Sequence, residues 1–264
     1  KKDLNKIIKK EVNILTTKNV RLSVALIIKK MFPKQPKNIV AITGTNGKTS
    51  IAFYLKSIWK AANISSATIG TLGMIYANKK VPINLTTPDP ITLHKYIDDL
   101  KKKGVKNIAL EASSHGIDQN RIDALRINRA VFSNFSRDHL DYHKTFENYF
   151  KAKKRLFSEI LAIQGIAIVN NDCKYGKKIE HFCKRKKIKV FTYGGNKSDW
   201  QINKVEFKNS YSQVWISILG KQYFFKCKFF AYYQIENLVC SMLIAHSYNI
   251  SLKKILKWVE KIKE

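Results

Sequence analysis

The sequence predicts an α/β protein built on a mostly parallel, phosphate-loop-type sheet flanked by helices, with a smaller antiparallel sheet late in the chain. Three observations carry this expectation. Short apolar runs recur at 38–42, 107–110, 130–132 and 166–169, the pattern of buried parallel strands. Segments with apolar residues at helical spacing lie between several of them, at 49–62, 90–102 and 146–161, and strands alternating with helices favour parallel pairing. After about residue 190 the texture changes to strand-like alternation over 205–230, with turn signals at Asn209-Ser210 and Gly220-Lys221. That suits antiparallel hairpins.

The flanking elements follow the same logic. An amphipathic helix is expected over Arg21–Phe32, stopped by Pro33, because proline cannot continue a helix. Helices over 234–248 and 252–263 close the chain. With 264 residues, 45% of them hydrophobic, there is enough apolar surface for one large or two modest domains. No apolar run approaches the roughly 18 residues of a membrane span, and no signal-type stretch follows Lys1-Lys2-Asp3. The four cysteines share no CxxC spacing, so reduced thiols and a cytoplasmic location are expected. The net charge of +30 comes from 42 lysines and only seven arginines, spread along the chain. Arginine is the residue suited to bidentate phosphate and base recognition. The charge is therefore read as compositional, with no nucleic acid and no membrane expected as partner, although the same field would favour a small anionic substrate.

The strand at 38–42 runs into Thr43-Gly44-Thr45-Asn46-Gly47-Lys48-Thr49 and then a helix. Glycines allow a tight turn that brings backbone N–H groups to phosphate oxygens, and the helix N-terminus adds its positive dipole end. Gly44, Thr45, Asn46, Gly47, Lys48 and Thr49 are thus candidate polyphosphate contacts, with Lys48 reaching the terminal phosphates and the Thr49 hydroxyl available to Mg2+. The general motif wants glycine at position 42, where this chain has Ile42. Three later segments carry further chemistry. Glu111, in Glu111-Ala112-Ser113-Ser114-His115-Gly116, ends a strand, where a carboxylate can face the phosphate loop. Asp138, His139, Asp141 and His143 form either a metal or acid–base cluster, or a polar strand-to-helix loop with an Asp cap. A helix one step further contains Lys151, Lys153 and Lys154.

Together, TGTNGKT, EASSHG, SRDHLDYH and the lysine helix resemble the Mur ligases, and within them the type that adds the third amino acid of the peptidoglycan peptide. The related folylpolyglutamate synthetases usually have Gly-Lys-Gly-Ser where this chain has Gly47-Lys48-Thr49-Ser50. The resemblance implies an ATP-dependent ligase that phosphorylates the D-Glu carboxylate of UDP-MurNAc-L-Ala-D-Glu and joins it to diaminopimelate (or lysine). Lys48, Lys153 and His139 would be catalytic, and Thr49, Glu111, His139 and Lys153, the last as a carbamate, would bind magnesium. Thr86 and Thr87, in Thr86-Thr87-Pro88-Asp89-Pro90, with Ser113, Gln119 and Arg121, match substrate-contacting positions. Asn237 matches an asparagine near the adenine, whereas Gln234, Ala231, Cys173 and Leu85 depart from the usual residues. By the same resemblance, residues 1–37 are the tail of an N-terminal UDP-binding domain and 38–264 are the central ATP-binding domain of a monomer. The C-terminal domain is expected to be absent. A folylpolyglutamate-type ligase and a catalytically incomplete ATP-binding remnant are the alternative readings.

Overall fold

Strand β1 (Asn38–Thr43) lies at the centre of the molecule because five of its six residues are buried on both sides. The computed structural model describes residues 16–195 and 197–262. The first fifteen residues of the expected N-terminal remnant, and residues 263 and 264 of the final segment, lie outside them. β1 pairs in parallel with β5 (Asn107–Glu111) on one side and β6 (Ile127–Phe132) on the other. β2 (Ser66–Gly70) continues beyond β5, and β7 (Leu161–Asn170) and β8 (Lys189–Gly194) continue beyond β6, all in parallel. The β1 switch therefore places the carboxyl ends of β1, β5 and β6 side by side, where ligands bind in open α/β sheets.

The late antiparallel strands are present as expected: β9 (Trp200–Phe207), β10 (Ser212–Ile218) and β11 (Lys221–Cys227). They extend the parallel sheet, through a short parallel contact between β8 and β9, into one 11-stranded sheet. The Leu219-Gly220 turn has positive φ at both residues, the twist a two-residue hairpin requires. At the opposite edge β3 (Gly73–Tyr76) and β4 (Lys79–Val81) form a hairpin beside β2. Two cores cover the two faces. Helices α2 (Lys48–Ala61), α8 (Tyr232–Ser247) and α9 (Leu252–Val259) bury Trp59, Leu238 and Ile255 on one face. Helices α3 (Pro90–Lys102), α6 (Phe146–Arg155) and α7 (Lys174–Arg185) bury Ile97, Tyr149 and Ile179 on the other. Helix α1 (Val20–Met31) packs on α3.

Two local differences from expectation have clear causes. The helix expected over 146–161 is α-helical only to Arg155, then widens into a π-turn at Leu156–Ile160 before β7. The lysine-rich stretch 174–190, which gave no pattern in sequence, is α7 followed by β8. Its few apolar residues, Ile179 and Cys183 among them, face the core while lysines cover the outside.

Candidate active site

The phosphate loop is shaped before any ligand arrives. Gly47 has φ +84, and a Cβ there would lie 2.5 Å from the Asn237 side-chain oxygen. Gly44 has φ +153, and a Cβ on it would fall on Ser133 Oγ. The loop is fastened to the segment after β6. Asn134 Oδ1 accepts from the Asn46 N–H at 2.8 Å, and Ser133 Oγ donates to the Asn46 carbonyl at 2.7 Å. Thr45 Oγ1 accepts from the Ser136 N–H at 3.0 Å. Helix α2 starts at Gly47 with no side-chain cap, so its first N–H groups remain available to an anion.

Two lysines converge on one carbonyl of this loop. Lys48 Nζ donates to Gly44 O at 2.9 Å and to Thr45 O at 2.8 Å. Lys153 Nζ, from the far helix α6, donates to the same Gly44 O at 2.9 Å. Burial lowers the Lys48 pKa, opposed by Glu111 and Asp138. Lys153 is 1% exposed; burial, then the charge of Lys48, hold it well below the ordinary lysine value. Its neighbour Lys151 is exposed and Lys154 lies over the Phe182 ring. Geometry therefore singles out Lys153.

Glu111, at the end of β5, is almost fully buried. Its carboxylate accepts from Thr49 Oγ1 at 2.9 Å, from the Thr71 N–H at 3.0 Å and from Thr71 Oγ1 at 3.1 Å. Burial raises its pKa, against these hydrogen bonds and Lys48. Across the loop His139 is exposed, with φ +50, and its backbone N–H donates to Asp138 Oδ1. Its ring meets His115 at 4.9 Å between centroids, and His115 meets Tyr142 and His143. Burial holds both His115 and His143 below the usual histidine value. Among the described residues no three His, Cys, Asp or Glu side chains are placed to hold a metal ion. Asp138, His139, Asp141 and His143 are thus not a self-sufficient metal cluster.

Around Thr87 the residues are tied together. Thr87 is fully buried: its hydroxyl donates to Glu111 O at 2.8 Å and accepts from the Ser113 N–H at 2.9 Å. Its neighbour Thr86 is partly open, 3.1 Å from Thr71 Oγ1. Ser113 Oγ caps the short helix α4 (Ser114–Asp118). Arg121 donates to Thr87 O and to Gln119 Oε1, and Gln119 donates to Tyr142. A cleft of about 580 Å3 opens beside the phosphate loop, bordered by Gly47, Asn170, Asp172, Tyr233, Glu236 and Asn237.

Residues 42–245 match the profile of the Mur ligase middle domain. The chain belongs to the Mur ligase family. It is 36% identical over 239 residues to the UDP-N-acetylmuramoyl-L-alanyl-D-glutamate–2,6-diaminopimelate ligase of Bradyrhizobium diazoefficiens, covering 89% of this chain and 49% of that one. The ligase of the same name from Rickettsia bellii is 33% identical over 255 residues, covering 95% and 53%. The chain thus spans about half the length of the curated relatives it matches. A solved structure of a ligase of that name superimposes with a TM-score of 0.86 at 27% identity, over 97% of this chain and 53% of that chain. Folylpolyglutamate synthetase from L. casei shares the fold alone, with a TM-score of 0.75 at 13% identity.

Within this Mur ligase chain, sequence reading missed Thr71, Ser133, Asn134 and Tyr149. Each touches a motif residue from a neighbouring element: Thr71 bonds Glu111, Ser133 and Asn134 bond Asn46, and the Tyr149 hydroxyl lies 3.3 Å from Thr45 Oγ1. Gln234 departs from the family's asparagine for a structural reason: its Oε1 accepts from the Phe230 and Ala231 N–H groups at the start of α8. Cys173 caps α7, its sulfur accepting from the Gly176 N–H, and the four cysteines are free. No helix among the described residues is long and apolar enough to cross a membrane.

Proposed function

We propose that this chain is the ATP-binding part of a ligase that joins diaminopimelate to UDP-MurNAc-L-Ala-D-Glu, and that its residues 38–264 form the nucleotide domain. The observation that carries the reading is the convergence of Lys48, Lys153 and the Thr49–Glu111 pair on a single uncapped phosphate loop. In the first step a D-Glu carboxylate oxygen attacks the terminal phosphorus of ATP, giving an acyl phosphate and ADP. An amine of diaminopimelate then attacks the acyl carbon, forming the amide and releasing phosphate. Positioning and charge stabilisation dominate such transfers. The N-terminal N–H groups of α2 hold the phosphates, and Lys48, leaving its two backbone acceptors, follows the charge of the transferred group.

The Thr49 hydroxyl beside the Glu111 carboxylate supplies the oxygen donors a hard cation prefers. Mg2+, when bound, would neutralise phosphate charge, held by Thr49, Glu111, His139 and the carbamate of Lys153. Burial favours the neutral amine of Lys153, the form that adds to CO2, yielding a carbamate and a proton. The hydrogen bond from the Lys153 amine to Gly44 O supports a carbamate beside the phosphate loop.

Two measurements test the reading. Calorimetry should detect ATP–Mg2+ binding that Lys48→Ala abolishes; affinity for nucleic acid without affinity for ATP–Mg2+ would sink it. Phosphate release dependent on UDP-MurNAc-L-Ala-D-Glu and diaminopimelate should be lost in Lys153→Ala and partly restored by a short-chain carboxylate. Full activity in the unrescued variant would refute the carbamate.

A further inference from the structure

The cleft beside the phosphate loop contains more than the asparagine expected there. A nucleotide whose phosphates lie on Gly44–Thr49 can place its base only where space continues from the loop, and the cleft at Gly47 provides about 580 Å3. Asn237 is 7% exposed, with no side-chain hydrogen bond among the described residues, and its Oδ1 approaches Gly47 along the cleft wall. Its amide stands open to the cleft, where a polar ligand group can pair with it. One turn earlier, Gln234 bonds backward to the Phe230 and Ala231 N–H groups and closes the helix start. Its carbonyl oxygen is thereby committed to the backbone.

Glu236 borders the cleft from the same helix, between Tyr233 and Asn237. Its Oε1 accepts from Asn170 Nδ2 at 3.2 Å, which anchors the carboxyl to the end of β7. Asp172 stands beside it, fixed by the Gly195 N–H, which donates to both its oxygens. Tyr233, 64% exposed, offers an aromatic face at the same mouth. An anchored carboxyl among a stacking surface and an unpaired amide matches a base edge that combines hydrogen-bond donors and acceptors. We propose that Glu236 is the specificity-determining residue of the nucleotide site, accepting a hydrogen bond from the exocyclic amino group of adenine. The assignment rests on the nucleotide-binding reading above and adds to it the residue that selects the base.

The chemistry makes the idea measurable. Inosine triphosphate carries a carbonyl oxygen in place of the amino group and an N–H donor at N1; on the N7 side of that group, where Glu236 accepts, it presents only the oxygen. A carboxyl facing that oxygen is left with two acceptors opposed, a mismatch that costs about tenfold or more in affinity. The 264-residue protein should therefore bind ATP–Mg2+ at least about tenfold more tightly than ITP–Mg2+ in calorimetry. Glu236→Gln, whose amide can donate to the inosine carbonyl, should bring the ratio to within about twofold, chiefly by improving ITP. Glu236→Ala should also lose discrimination but without the gain for ITP, and thermal melting of both variants checks that the fold is kept. An unchanged ATP-to-ITP ratio in folded Glu236→Gln, or tighter binding of ITP than ATP by the unaltered protein, would overturn the role of Glu236 alone. Failure to bind either nucleotide would instead overturn the nucleotide-binding reading on which it rests.

Discussion

The two sides of the phosphate loop are built differently. On the β5 side, Glu111, Thr49, Thr71, Thr87 and Ser113 are joined by hydrogen bonds, with Glu111 and Thr87 buried. On the β6 side, Ser136 and His139 are exposed, and His139 takes a left-handed backbone conformation. Strand ends make the first side rigid, because parallel pairing fixes their positions and the core excludes water. The second side is a loop, held to the phosphate loop through Asn134 and Ser136, and anchored in the core by Phe135 while Ser136, Arg137 and His139 are exposed. The difference teaches that strand ends brace the carboxylate side with internal hydrogen bonds, whereas His139 on the other side stands open to solvent.

Substitutions can break that comparison. The largest effect is expected at Gly47, where both sides depend on the same turn. Gly47→Ala places a Cβ against Asn237 at φ +84 and should cost about 1–2 kcal/mol from backbone conformation alone, with nucleotide affinity falling alongside. A melting temperature and ATP affinity equal to the parent protein would show that the loop is not held in this shape.

Glu111→Gln should separate function from stability on the rigid side. Loss of the charge is expected to reduce Mg2+-dependent nucleotide affinity on the order of tenfold. Glu111 has a folded pKa raised by burial. Its contribution to stability is therefore present below the ordinary carboxyl range and lost as pH rises through the folded value. Without Mg2+ at neutral pH the variant should be as stable as the parent or more so, and the gap should close as pH is lowered. Destabilisation at neutral pH that persists in acid would show instead that the hydrogen bonds of Thr49 and Thr71 dominate. The smallest structural effect belongs to the open side. His139→Gly relieves the left-handed conformation and should shift stability by no more than about 0.5 kcal/mol, while weakening the Mg2+ dependence of nucleotide binding. A loss of several kcal/mol in denaturant unfolding would mean that the loop is as rigid as the strand ends.

Much of this was legible in the sequence, for particular reasons. The central strands were visible because burial on both faces forces continuous apolar runs, as in Ile39–Ile42. The late hairpins announced themselves through alternation and through Gly220. Helix α7 and strand β8 were hidden because lysines outnumber the few residues that face the core there. The hairpin β3–β4 was equally silent, its strands being short and half exposed.

The sequence by itself determined the phosphate loop, the carboxylate after β5 and the lysine-bearing helix, since local backbone geometry and residue chemistry are written in contiguous letters. Only the tertiary structure decided which of three neighbouring lysines reaches Gly44, that Thr87 is braced against Glu111 and Ser113, and that Gln234 caps its helix. Those outcomes depend on which face of an element meets another element far away in the chain. The apolar pattern indicates that a face is buried, but packing chooses its partner.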